Sequence, residues 1–576
     1  MPVHNSEIAD IFNEMADLLE IEGANEFRVR AYRNAARTVS SLPQSIADMV
    51  KQGEDLSELP GIGKDLAGKI TQIIKKGELP QLEDLRHDMP EELIELTHLA
   101  GLGPKRVKVL YQDLGIASLK QLREAAENKK ISQMPGFGSR TEEKILEAIE
   151  RRGAETGESK RLKLSVAEGM ALPLVKYLQK SKGVKTVDVA GSYRRKLETV
   201  GDLDILAICE KDSSAIDRFV KYEDVAEVVS KGKTRSTVIL RSGMQVDLRV
   251  IPQVSYGAAL HYFTGSKAHT IAIRRIGVEK GLKINEYGVF KGKKRVAGRT
   301  EKEVYKKVGL VYIEPELREN RGEIEAAQKK RLPELVTLED IKGDLHTHTN
   351  ATEGHDSIEE MANSAVERGY QYIAVTDHSK HLAITKGLDE KRLARQIEEI
   401  DRLNKKTEKI VILKGIEVDI LEDGSLDLSD AILKRLDLVV GSIHHKFNLS
   451  QDKQTDRILR AMSNPYFKIL AHPSGRLINE REPYEIDMQQ IIKAAKDKGI
   501  ALELNAQPER LDLTDIYCKM AKDIGVMVAI STDAHSRGNL EFMRYGVYQA
   551  RKGWLEARDV LNTKTARELK KILARN

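Results

Sequence analysis

The spacing of apolar and polar residues changes twice along the chain, and each change marks a different kind of structure. Residues 1–155 show helical spacing interrupted by short turns that contain glycine. From about Lys160 to Pro315, helical stretches alternate with apolar runs of strand length, such as TVDVAGSY, DLDILAICE, STVILRS and QVDLRVIP. From Ile341 onward, strand and helix patterns alternate regularly, which favours βα units. The pattern predicts a multidomain protein with an α-helical N-terminal region, an α+β middle region and a C-terminal βα barrel.

The segment from Glu316 to Asp340, ELRENRGEIEAAQKKRLPELVTLED, is rich in charge and has few large apolar residues. This composition is typical of a solvated helix followed by a linker. The segment is therefore predicted to join two separately folded modules.

Three turns in the helical region repeat one plan. They are LPGIGKDLAGKITQII from Leu59, LAGLGPKRVKVLYQDLGI from Leu99 and MPGFGSRTEEKILEAI from Met134. In each turn, two glycines allow tight bending and leave the amides at the next helix start free to hold a phosphate oxygen. One copy could be an ordinary helix connection, but three copies resemble helix-hairpin-helix motifs that grip the DNA backbone. The glycines concerned are Gly61, Gly63, Gly101, Gly103, Gly136 and Gly138.

Three carboxylates mark the middle region. Asp202 and Asp204 alternate with apolar residues, so both carboxylates face one side of a strand. Asp247 lies in a second strand and can add a third carboxylate to the same face. Because three carboxylates on one face repel each other unless divalent cations neutralise them, the cluster predicts a Mg²⁺ site. A pair of such ions suits phosphoryl transfer.

The turn directly before these acids is suited to a triphosphate. Gly191 and Ser192 permit a close approach of the backbone, and Arg195 can clamp the charge. Acids on a solvated strand edge would not explain why Gly-Ser precedes them. A nucleotide site is therefore the favoured interpretation.

The C-terminal region concentrates potential metal ligands. Six predicted strands, among them VILKGIE, LVVGSIH, KILAH and VAISTDAH, end on an imidazole or a carboxylate. Catalytic groups of βα barrels lie at the C-terminal ends of the strands, so this pattern predicts the open metal centre of a hydrolase. Mixed His and carboxylate ligands suit Zn²⁺ or Mn²⁺ better than Mg²⁺. The candidate ligands are His346, His348, Glu353, His378, Glu417, His444, His472, Asp533 and His535.

The composition indicates where the protein is expected in the cell and what kind of partner it binds. Among the 576 residues, 40% are hydrophobic and 32% are charged. No apolar run reaches the roughly 18 residues that span a bilayer, and the first residues lack the apolar core of a signal peptide, so we expect a cytoplasmic protein. The net charge is +5, and residues 341–576 hold equal numbers of acidic and basic residues. The positive excess therefore lies in the first half, which favours a polyanion partner there.

Residues 1–316 resemble the family X DNA polymerases of the polymerase β type. The resemblance rests on G-S-x-R-R from Gly191 with the D-x-D that follows, and on D-L-R at Asp247. It also rests on YFTGS from Tyr262 and on EKGLKINEYG from Glu279. These motifs are specific, and they imply a nucleotidyltransferase palm that acts on gapped or nicked DNA with dNTPs.

The resemblance also implies roles for individual residues. The three aspartates would bind the metal ions, and Asp247 would help to deprotonate the primer 3′-hydroxyl. Thr270 stands where the family usually has an Asn that reaches the incoming base, which leaves nucleotide discrimination open. The residues implied at the nucleotide or the template, besides the Gly-Ser turn, are Tyr262, Phe263, Gly265 and Arg274.

Some relatives of polymerase β carry a 5′-deoxyribose phosphate lyase in the N-terminal module. Here Lys69 matches the lysine that forms the Schiff base, Tyr32 matches a tyrosine of the site, and Arg28 is a candidate phosphate contact. Phe27 and Asp65 stand where relatives place cationic or polar phosphate ligands. A lysine needs a lowered pKa to attack a carbonyl, and the sequence does not indicate one. Lyase activity is therefore left open.

The C-terminal region resembles the polymerase and histidinol phosphatase (PHP) domain, a distorted (β/α)7 barrel with up to three metal ions. The matching motifs are D-L-H-T-H, T-D-H, G-I-E, S-I-H, A-H-P and S-T-D-A-H. The nine candidate ligands match the family positions, with Glu353 where an Asp is usual. Asp377 is expected to support a ligand rather than to bind a metal. Three other histidines, His355, His381 and His445, are expected at the rim, although His355 could replace Glu353.

The two resemblances divide the chain into six predicted segments. They are a lyase-like helix-hairpin-helix domain at 1–85, a fingers-type helical DNA-binding domain with two further hairpins at 86–158, a palm at 159–252, a nucleotide-binding polymerase subdomain at 253–316, the linker at 317–340 and the PHP domain at 341–576.

Together the resemblances imply a monomeric family X DNA polymerase that fills short gaps in repair. Mg²⁺ is expected at the polymerase site, and Zn²⁺ or Mn²⁺ at the PHP site. The PHP domain is expected to act as a 3′–5′ exonuclease or a related phosphoesterase that processes 3′ ends. Two alternatives stay open: a DNA-binding repair scaffold with an inactive polymerase site, and a PHP domain that acts on small-molecule phosphates.

Overall fold

The chain forms two compact units, Met1–Lys160 and Arg161–Asn576. Two of the predicted hairpin glycines, Gly101 and Gly136, lie outside the residues that the structure describes. The structure is a computed structural model, and it describes residues 5–40, 42, 46–76, 78–89, 92–97, 102–134, 137, 138, 141, 142, 145, 146, 149, 161–210, 213–382 and 386–574.

The first unit is helical, as its residue spacing predicts. Its apolar residues form two buried clusters, one around Phe12 and Ile70 and one around Val107 and Leu122. None of the helices in the described parts of the whole chain is long and apolar enough to cross a membrane. The helices with described bounds span Asn5–Glu22, Glu26–Ser40, Ile46–Lys51, Lys64–Lys76, Pro80–Asp88, Glu92–Thr97, Pro104–Leu114 and Leu119–Glu127.

The predicted glycine turns lead directly into helices. Gly61 has a φ of +76°, in the left-handed region that favours glycine, and Lys64–Lys76 begins three residues later. Gly103 directly precedes the helix Pro104–Leu114. A Cβ added at Gly63, at Gly103 or at the third turn's Gly138 would meet no atom of the described residues within 4 Å. The backbone at these turns is therefore accessible to a ligand.

The second unit begins with the predicted palm, a five-stranded mixed sheet of order β2-β4-β7-β6-β5. Strands β4 and β7 are parallel neighbours, and the other pairs are antiparallel. Leu203, Ile205, Val246 and Leu248 from the two central strands are fully buried beneath the helix Leu164–Gln179. The strands are β1 (Leu162–Lys163), β2 (Val184–Val189), β3 (Thr199–Val200), β4 (Asp202–Cys209), β5 (Val225–Lys231), β6 (Arg235–Leu240) and β7 (Gln245–Ile251).

The predicted nucleotide-binding subdomain that follows, here called the thumb, is joined to the palm by a buried ion network. Arg194 from the palm donates to Glu301 at 2.7 Å, and Arg318 donates to the same carboxylate at 2.6 Å. Burial alone would raise the pKa of Glu301, but the two guanidinium groups lower it to about 2. The thumb comprises the helices Tyr256–Thr264, Lys267–Glu279 and Glu301–Val308 and the strands β8 (Lys283–Asn285), β9 (Gly288–Lys291) and β10 (Lys294–Ala297).

The segment predicted as a solvated linker is packed instead, so that expectation is wrong. It contains a short helix, Glu323–Gln328, and Arg318, Glu323 and Val336 are fully buried. The charged residues tolerate burial because each has a partner: Arg318 pairs with Glu301, and the Glu323 carboxylate lies 2.6 Å from His269 Nδ1. Composition cannot distinguish such paired charges from solvated ones.

Seven parallel strands form the C-terminal barrel in sequential order. A bridge between Thr347 and Ala534 links the last strand back to the first, so the barrel is nearly closed. Six of the seven strands carry predicted ligands at or beyond their C-terminal ends, and the additional strand is β16. The strands are β11 (Gly343–Thr347), β12 (Tyr372–Val375), β13 (Val411–Asp419), β14 (Leu438–Ser442), β15 (Phe467–Leu470), β16 (Ala501–Asn505) and β17 (Val528–Ser531).

Helices surround these strands and complete the βα alternation. Their apolar faces pack on the barrel core, in which Ile373, Val375, Leu502 and Ile530 are fully buried. The outer helices are Ile358–Glu367, Glu390–Lys406, Asp430–Leu433, Gln451–Ala461, Met488–Lys498, Asp515–Ile524, Met543–Lys552 and Ala566–Leu573.

The barrel packs directly against the palm within the second unit. Ile478, Leu511 and Tyr545 of the barrel belong to the same hydrophobic cluster as the palm core. Ion pairs cross the same boundary, with Arg476 2.7 Å from Glu198 and Arg544 2.9 Å from Glu168. A continuous core with paired charges at its edge fixes the barrel relative to the palm.

Gly257 allows two thumb segments to touch, which gives a test of this packing. A Cβ added at Gly257 would lie 2.1 Å from the backbone carbon of Thr300. Because backbone atoms cannot move aside, Gly257→Ala should lower the free energy of unfolding by about 2–3 kcal/mol, measured from the midpoint of urea unfolding. The matched helical change Gly169→Ala meets no atom within 4 Å among the residues that the structure describes, so it should be neutral or slightly stabilising. Equal midpoints for the two variants would contradict this packing.

Candidate metal centres and nucleotide cleft

The three predicted aspartates meet at one edge of the palm sheet. Parallel pairing of β4 with β7 places Asp204 opposite Asp247, and Asp202 lies two residues before Asp204 on the same face. Asp247 is buried and accepts hydrogen bonds from Thr237 Oγ1 at 2.6 Å and from Arg235 at 3.2 Å. The strand register therefore brings all three carboxylates to one place.

The carboxylates disfavour each other's charged forms. Burial, and then the charges of Asp202 and Asp247, raise the pKa of Asp204 to about 6. Burial and the charge of Asp247 also raise the pKa of Asp202. An all-oxygen cluster whose charged state is unfavourable fits a hard divalent cation, which would neutralise it.

The Gly-Ser turn lies directly against this cluster. Gly191 has a φ of +62°, and an added Cβ there would be 3.0 Å from Asp204 Oδ2, so glycine is required on both grounds. Arg195 follows the turn, and its Nε donates to Glu319 at 2.6 Å while its Nη1 donates to the Thr264 carbonyl at 2.7 Å. The guanidinium is thereby held in a fixed orientation.

A cleft of about 880 Å³ opens beside the acids and contains every residue predicted at the nucleotide. The rings of Tyr262 and Phe263 meet edge to face at 5.1 Å. A Cβ added at Gly265 would be 2.8 Å from Thr270 Oγ1, so the residue that replaces the family's Asn packs closely on this glycine. The predicted residues lining the cleft are Gly191, Ser192, Arg195, Asp202, Asp204, Tyr262, Phe263, Gly265 and Arg274.

All nine predicted barrel ligands converge at the C-terminal ends of the strands. Eight of them form three groups among the described residues, and within each group the candidate ligand atoms all lie within 4.8 Å of one another. The ninth, His472, lies beside these groups, with its Nε2 3.1 Å from Glu417 Oε1. The groups are His348, Glu353, His378 and His535; His346, His348 and Asp533; and His378, Glu417 and His444.

Two histidines link the three groups. His348 Nε2 is 3.1 Å from Asp533, and its Nδ1 is 3.5 Å from Glu353. His378 Nε2 is 2.7 Å from Glu353, and its Nδ1 is 2.7 Å from Glu417. Glu417 also lies 3.3 Å from His444 Nε2, so it has the central position from which a carboxylate can bridge two ions.

The candidate donor atoms of this centre are arranged to bind metal ions rather than to form hydrogen bonds with one another. His348 Nδ1, His378 Nδ1 and Glu417 Oε2 are buried, and none has a hydrogen-bond partner among the described residues. The last two atoms are only 2.7 Å apart, yet they are not aligned for a hydrogen bond. Burial alone would lower the pKa of His378, but Glu417 and Glu353 raise it to about 10, so the carboxylates hold a positive charge there. A cation at these atoms would satisfy both requirements.

Sequence reasoning missed the carboxylates that orient the imidazoles. Glu503 Oε1 lies 2.7 Å from His346 Nδ1, and its other oxygen accepts from the His472 backbone amide at 2.8 Å. Asp419 Oδ1 lies 3.0 Å from His444 Nδ1. Such contacts fix the tautomer and direct the opposite nitrogen toward a metal. The available signal was an acid within a buried strand, as in ALELN and GIEVD.

The other polar residues near the centre have protein partners. Asp377 accepts hydrogen bonds from Thr349, Thr352 and Gln396, so its oxygens are engaged away from the ligand groups. The ring centres of His381 and His445 lie 4.5 Å apart with the rings tilted by 48°, and neither residue belongs to the three groups.

Two ligands lie on strained backbone. His472 has a φ of +27°, and Asp533 has a φ of +51°, both in the region that residues other than glycine rarely adopt. Each residue lies two positions beyond the end of a barrel strand, His472 after Leu470 and Asp533 after Ser531. Strain of this kind is typical of residues that the fold holds for function.

In the first unit, Lys69 is held as a charged group. Its Nζ lies 2.6 Å from Asp65 Oδ2 and 5.1 Å from the centre of the Tyr32 ring. Burial would lower the pKa of Lys69, but the bonds to Asp65 and Tyr32 raise it. Phe27 is 79% exposed, and Arg28 is exposed as well.

Family models match most of the chain. The helix-hairpin-helix domain matches residues 3–79, and a SAM-like helix-hairpin-helix tandem matches residues 93–151. The DNA polymerase beta thumb matches residues 259–319, and the PHP domain matches residues 344–507. Helix-hairpin-helix and thumb domains together indicate a protein that binds DNA.

One relative matches the whole chain, and others match a third of it. The chain is 38% identical over 578 residues, covering 100% of both proteins, to the DNA polymerase/3′-5′ exonuclease PolX of Bacillus subtilis (strain 168). It is also 34% identical over 203 residues to a probable phosphatase of Thermoanaerobacter sp. (strain X514), which covers 33% of this chain and 78% of that protein.

A palm with three acids beside a thumb, joined to a barrel with a His and carboxylate centre, defines a polymerase-type enzyme with a metal-dependent hydrolase domain. The 38% identity over the full length of a protein named as a DNA polymerase and 3′-5′ exonuclease shows which family within this class the chain belongs to. The chain belongs to the family X DNA polymerases that carry a C-terminal PHP domain.

The ligand groups predict how individual histidines affect metal content. His348 belongs to two groups, so His348→Ala should lose at least one bound ion per chain, measured by elemental analysis after dialysis against Mn²⁺ or Zn²⁺. His355 is exposed and belongs to none of the groups found in the described chain, so His355→Ala should retain the parent's metal content. Equal loss in both variants would show that His355 is also a ligand.

Proposed function

We propose that the protein is a DNA-directed DNA polymerase that fills short gaps during repair and that its PHP domain is a 3′–5′ exonuclease that processes 3′ ends. One observation supports the proposal most strongly: a single chain brings together all three predicted palm acids at one place and all nine predicted barrel ligands at another. The 38% sequence identity, over the full length, to a protein named as a DNA polymerase and 3′-5′ exonuclease supports the same combination of activities.

At the palm, Asp202, Asp204 and Asp247 would hold Mg²⁺, and Asp247 would help to take the proton from the primer 3′-hydroxyl. Gly191 and Ser192 would hold the triphosphate of a dNTP through backbone amides, with Arg195 as charge clamp. Tyr262, Phe263 and Gly265 would face the sugar, and Arg274 would approach the minor groove near the template. Their common cleft has room for a bound nucleotide.

At the barrel, the nine ligands would hold up to three ions, with Zn²⁺ or Mn²⁺ favoured by the imidazole content. Divalent cations at either centre supply Lewis acidity toward phosphate oxygens and neutralise the carboxylates. Glu503 and Asp419 keep the far nitrogens of His346 and His444 occupied, so the opposite nitrogens stay available as donors.

The DNA partner would be gapped or nicked, and the hairpin glycines of the first unit would grip its backbone. Gly61, Gly63, Gly103 and Gly138 support this assignment because the turns lead into helices and leave the backbone accessible. We assign five of the six segments named from the sequence as the working domains of a monomer, with residues 317–340 as a packed connection between thumb and barrel.

Crossed substitutions test the two activities in one experiment. On DNA with a one-nucleotide gap, Asp202→Ala should lower primer extension with Mg²⁺ by about a thousandfold or more. The variant loses a carboxylate that would bind the metal ions that stabilise the charge of the transition state. The same variant should retain degradation of single-stranded DNA from the 3′ end with Mn²⁺. Gel-resolved products measure both rates.

His346→Ala is the reciprocal control. It should lose the 3′ degradation and retain extension within about twofold, since the palm acids are intact. If Asp202→Ala extends the gapped primer as well as the parent does, the protein is a DNA-binding scaffold with an inactive polymerase site.

A second function for the barrel is favoured by the probable phosphatases that match it over a third of the chain. In this alternative the barrel hydrolyses small phosphate esters. The full-length protein distinguishes the two: release of phosphate from sugar phosphates, with single-stranded DNA left intact, would replace the exonuclease assignment. In either case His346→Ala must abolish the hydrolysis.

Lyase activity depends on the charge of Lys69. Because Asp65 raises the pKa of Lys69, Asp65→Asn should increase the neutral amine at pH 7.5 and raise borohydride trapping on DNA with a 5′-deoxyribose phosphate severalfold. Lys69→Ala should abolish the trapping, and Lys75→Ala on the same helix should leave it unchanged. Trapping that persists in Lys69→Ala would remove this lysine from the proposal.

A further inference from the structure

The nucleotide cleft has a third wall that neither palm nor thumb supplies. Its lining includes Asp515 and Lys552 from the barrel and Arg321 from the packed segment between thumb and barrel. Asp515 begins one barrel helix and Lys552 ends another. The PHP domain therefore reaches the polymerase site itself.

Asp515 anchors the two cations of this wall. Its Oδ2 lies 2.9 Å from Arg321 Nη1 and 3.8 Å from Lys552 Nζ. Burial would raise the pKa of Asp515, but Lys552, Arg321 and Arg476 outweigh it and lower the pKa, so Asp515 stays charged. With one carboxylate for Arg321 and Lys552, the wall keeps a net positive charge toward the cleft.

Arg321 is fixed at both its backbone and its side chain. The backbone amides of Asn320 and Arg321 donate to the buried Glu323 carboxylate at 2.8 and 2.7 Å. The side chain is tied to Asp515 through Nη1 alone, and its other N–H groups have no partner in the described part of the chain. The side chain is still 41% exposed. A preorganised guanidinium with unused donors facing a cleft is suited to phosphate.

A second arginine of the same cleft is held in the same manner. Arg195 is tied by Glu319, two residues before Arg321, and it also lines the cleft. The two guanidinium groups thus approach the cleft from the palm and from the barrel side. An anion that carries several phosphates, unlike a single phosphodiester, can engage both.

We propose that Arg321, positioned by Asp515 of the PHP domain, is a further contact for the phosphate tail of the incoming nucleoside triphosphate. The barrel would then complete the nucleotide pocket of the polymerase, in addition to its own hydrolytic chemistry. This inference rests on the polymerase function proposed above. Arg321 would be a binding residue, and Asp515 a positioning residue that acts through it.

Steady-state incorporation of one nucleotide into gapped DNA by the full-length protein tests the proposal. Arg321→Ala should raise the KM for the dNTP about tenfold and the inhibition constant of pyrophosphate in parallel, with kcat within about twofold. Arg321→Lys should recover part of the loss, since a lysine retains the charge without the fork of donors. Asp515→Asn should raise the KM less than Arg321→Ala does, because the arginine remains but is no longer held.

Arg544→Ala is the matched control, since it removes another ion pair between barrel and palm, that with Glu168, away from the cleft. Its KM should equal the parent's. An unchanged KM in Arg321→Ala, a rise confined to the Kd for DNA, or an equal rise in Arg544→Ala would each overturn the proposal. A parent protein that incorporates no nucleotide would instead overturn the polymerase function itself.

Discussion

The need to neutralise crowded carboxylates governs both centres of this protein. A carboxylate loses solvation on burial, and a second carboxylate nearby adds repulsion, so such a cluster is stable only with compensating positive charge. At the palm, this is expressed in Asp204, whose pKa burial and its neighbours raise to about 6. At the barrel, imidazoles surround Glu417, and although burial alone would raise the pKa of that carboxyl, they hold it well below its usual range. The two centres meet one constraint with different donors, oxygen atoms alone at the palm and imidazoles with carboxylates at the barrel, and the different metal ions proposed for them rest on this difference.

Parallel strand pairing is the means by which the fold creates these clusters. Side chains at the same height on neighbouring parallel strands point the same way, so Asp204 and Asp247 are brought opposite each other by register alone. The barrel extends this principle to the ends of its strands, where two of the predicted ligands, His472 and Asp533, have positive φ angles. The cost of that strain is offset by the large buried core beneath.

Local patterns in the sequence were sufficient to predict most of the fold and to select candidate ligands that the fold brings together. Alternation around Asp202 predicts a strand, and apolar runs that stop at imidazoles predict a barrel with its centre at the strand ends. What could not be predicted depends on partners distant in sequence. Glu503 orients His346 across 157 positions, and Arg318 is buried because Glu301 meets it, so neither a local pattern nor composition reveals them.

The contact of barrel with palm changes how the two chemistries relate. Arg476 lies four residues after His472, a predicted ligand of the barrel centre. Its largely buried guanidinium forms a bidentate pair with Glu198, a partly exposed residue that lines the nucleotide cleft. Ile478 and Leu511 extend the palm core through the same boundary. Rotation of the barrel would expose this apolar surface and separate the Arg476–Glu198 ion pair, and both changes are unfavourable. The two centres therefore lie within one compact unit, residues 161–576, in which barrel residues line the cleft beside the palm acids.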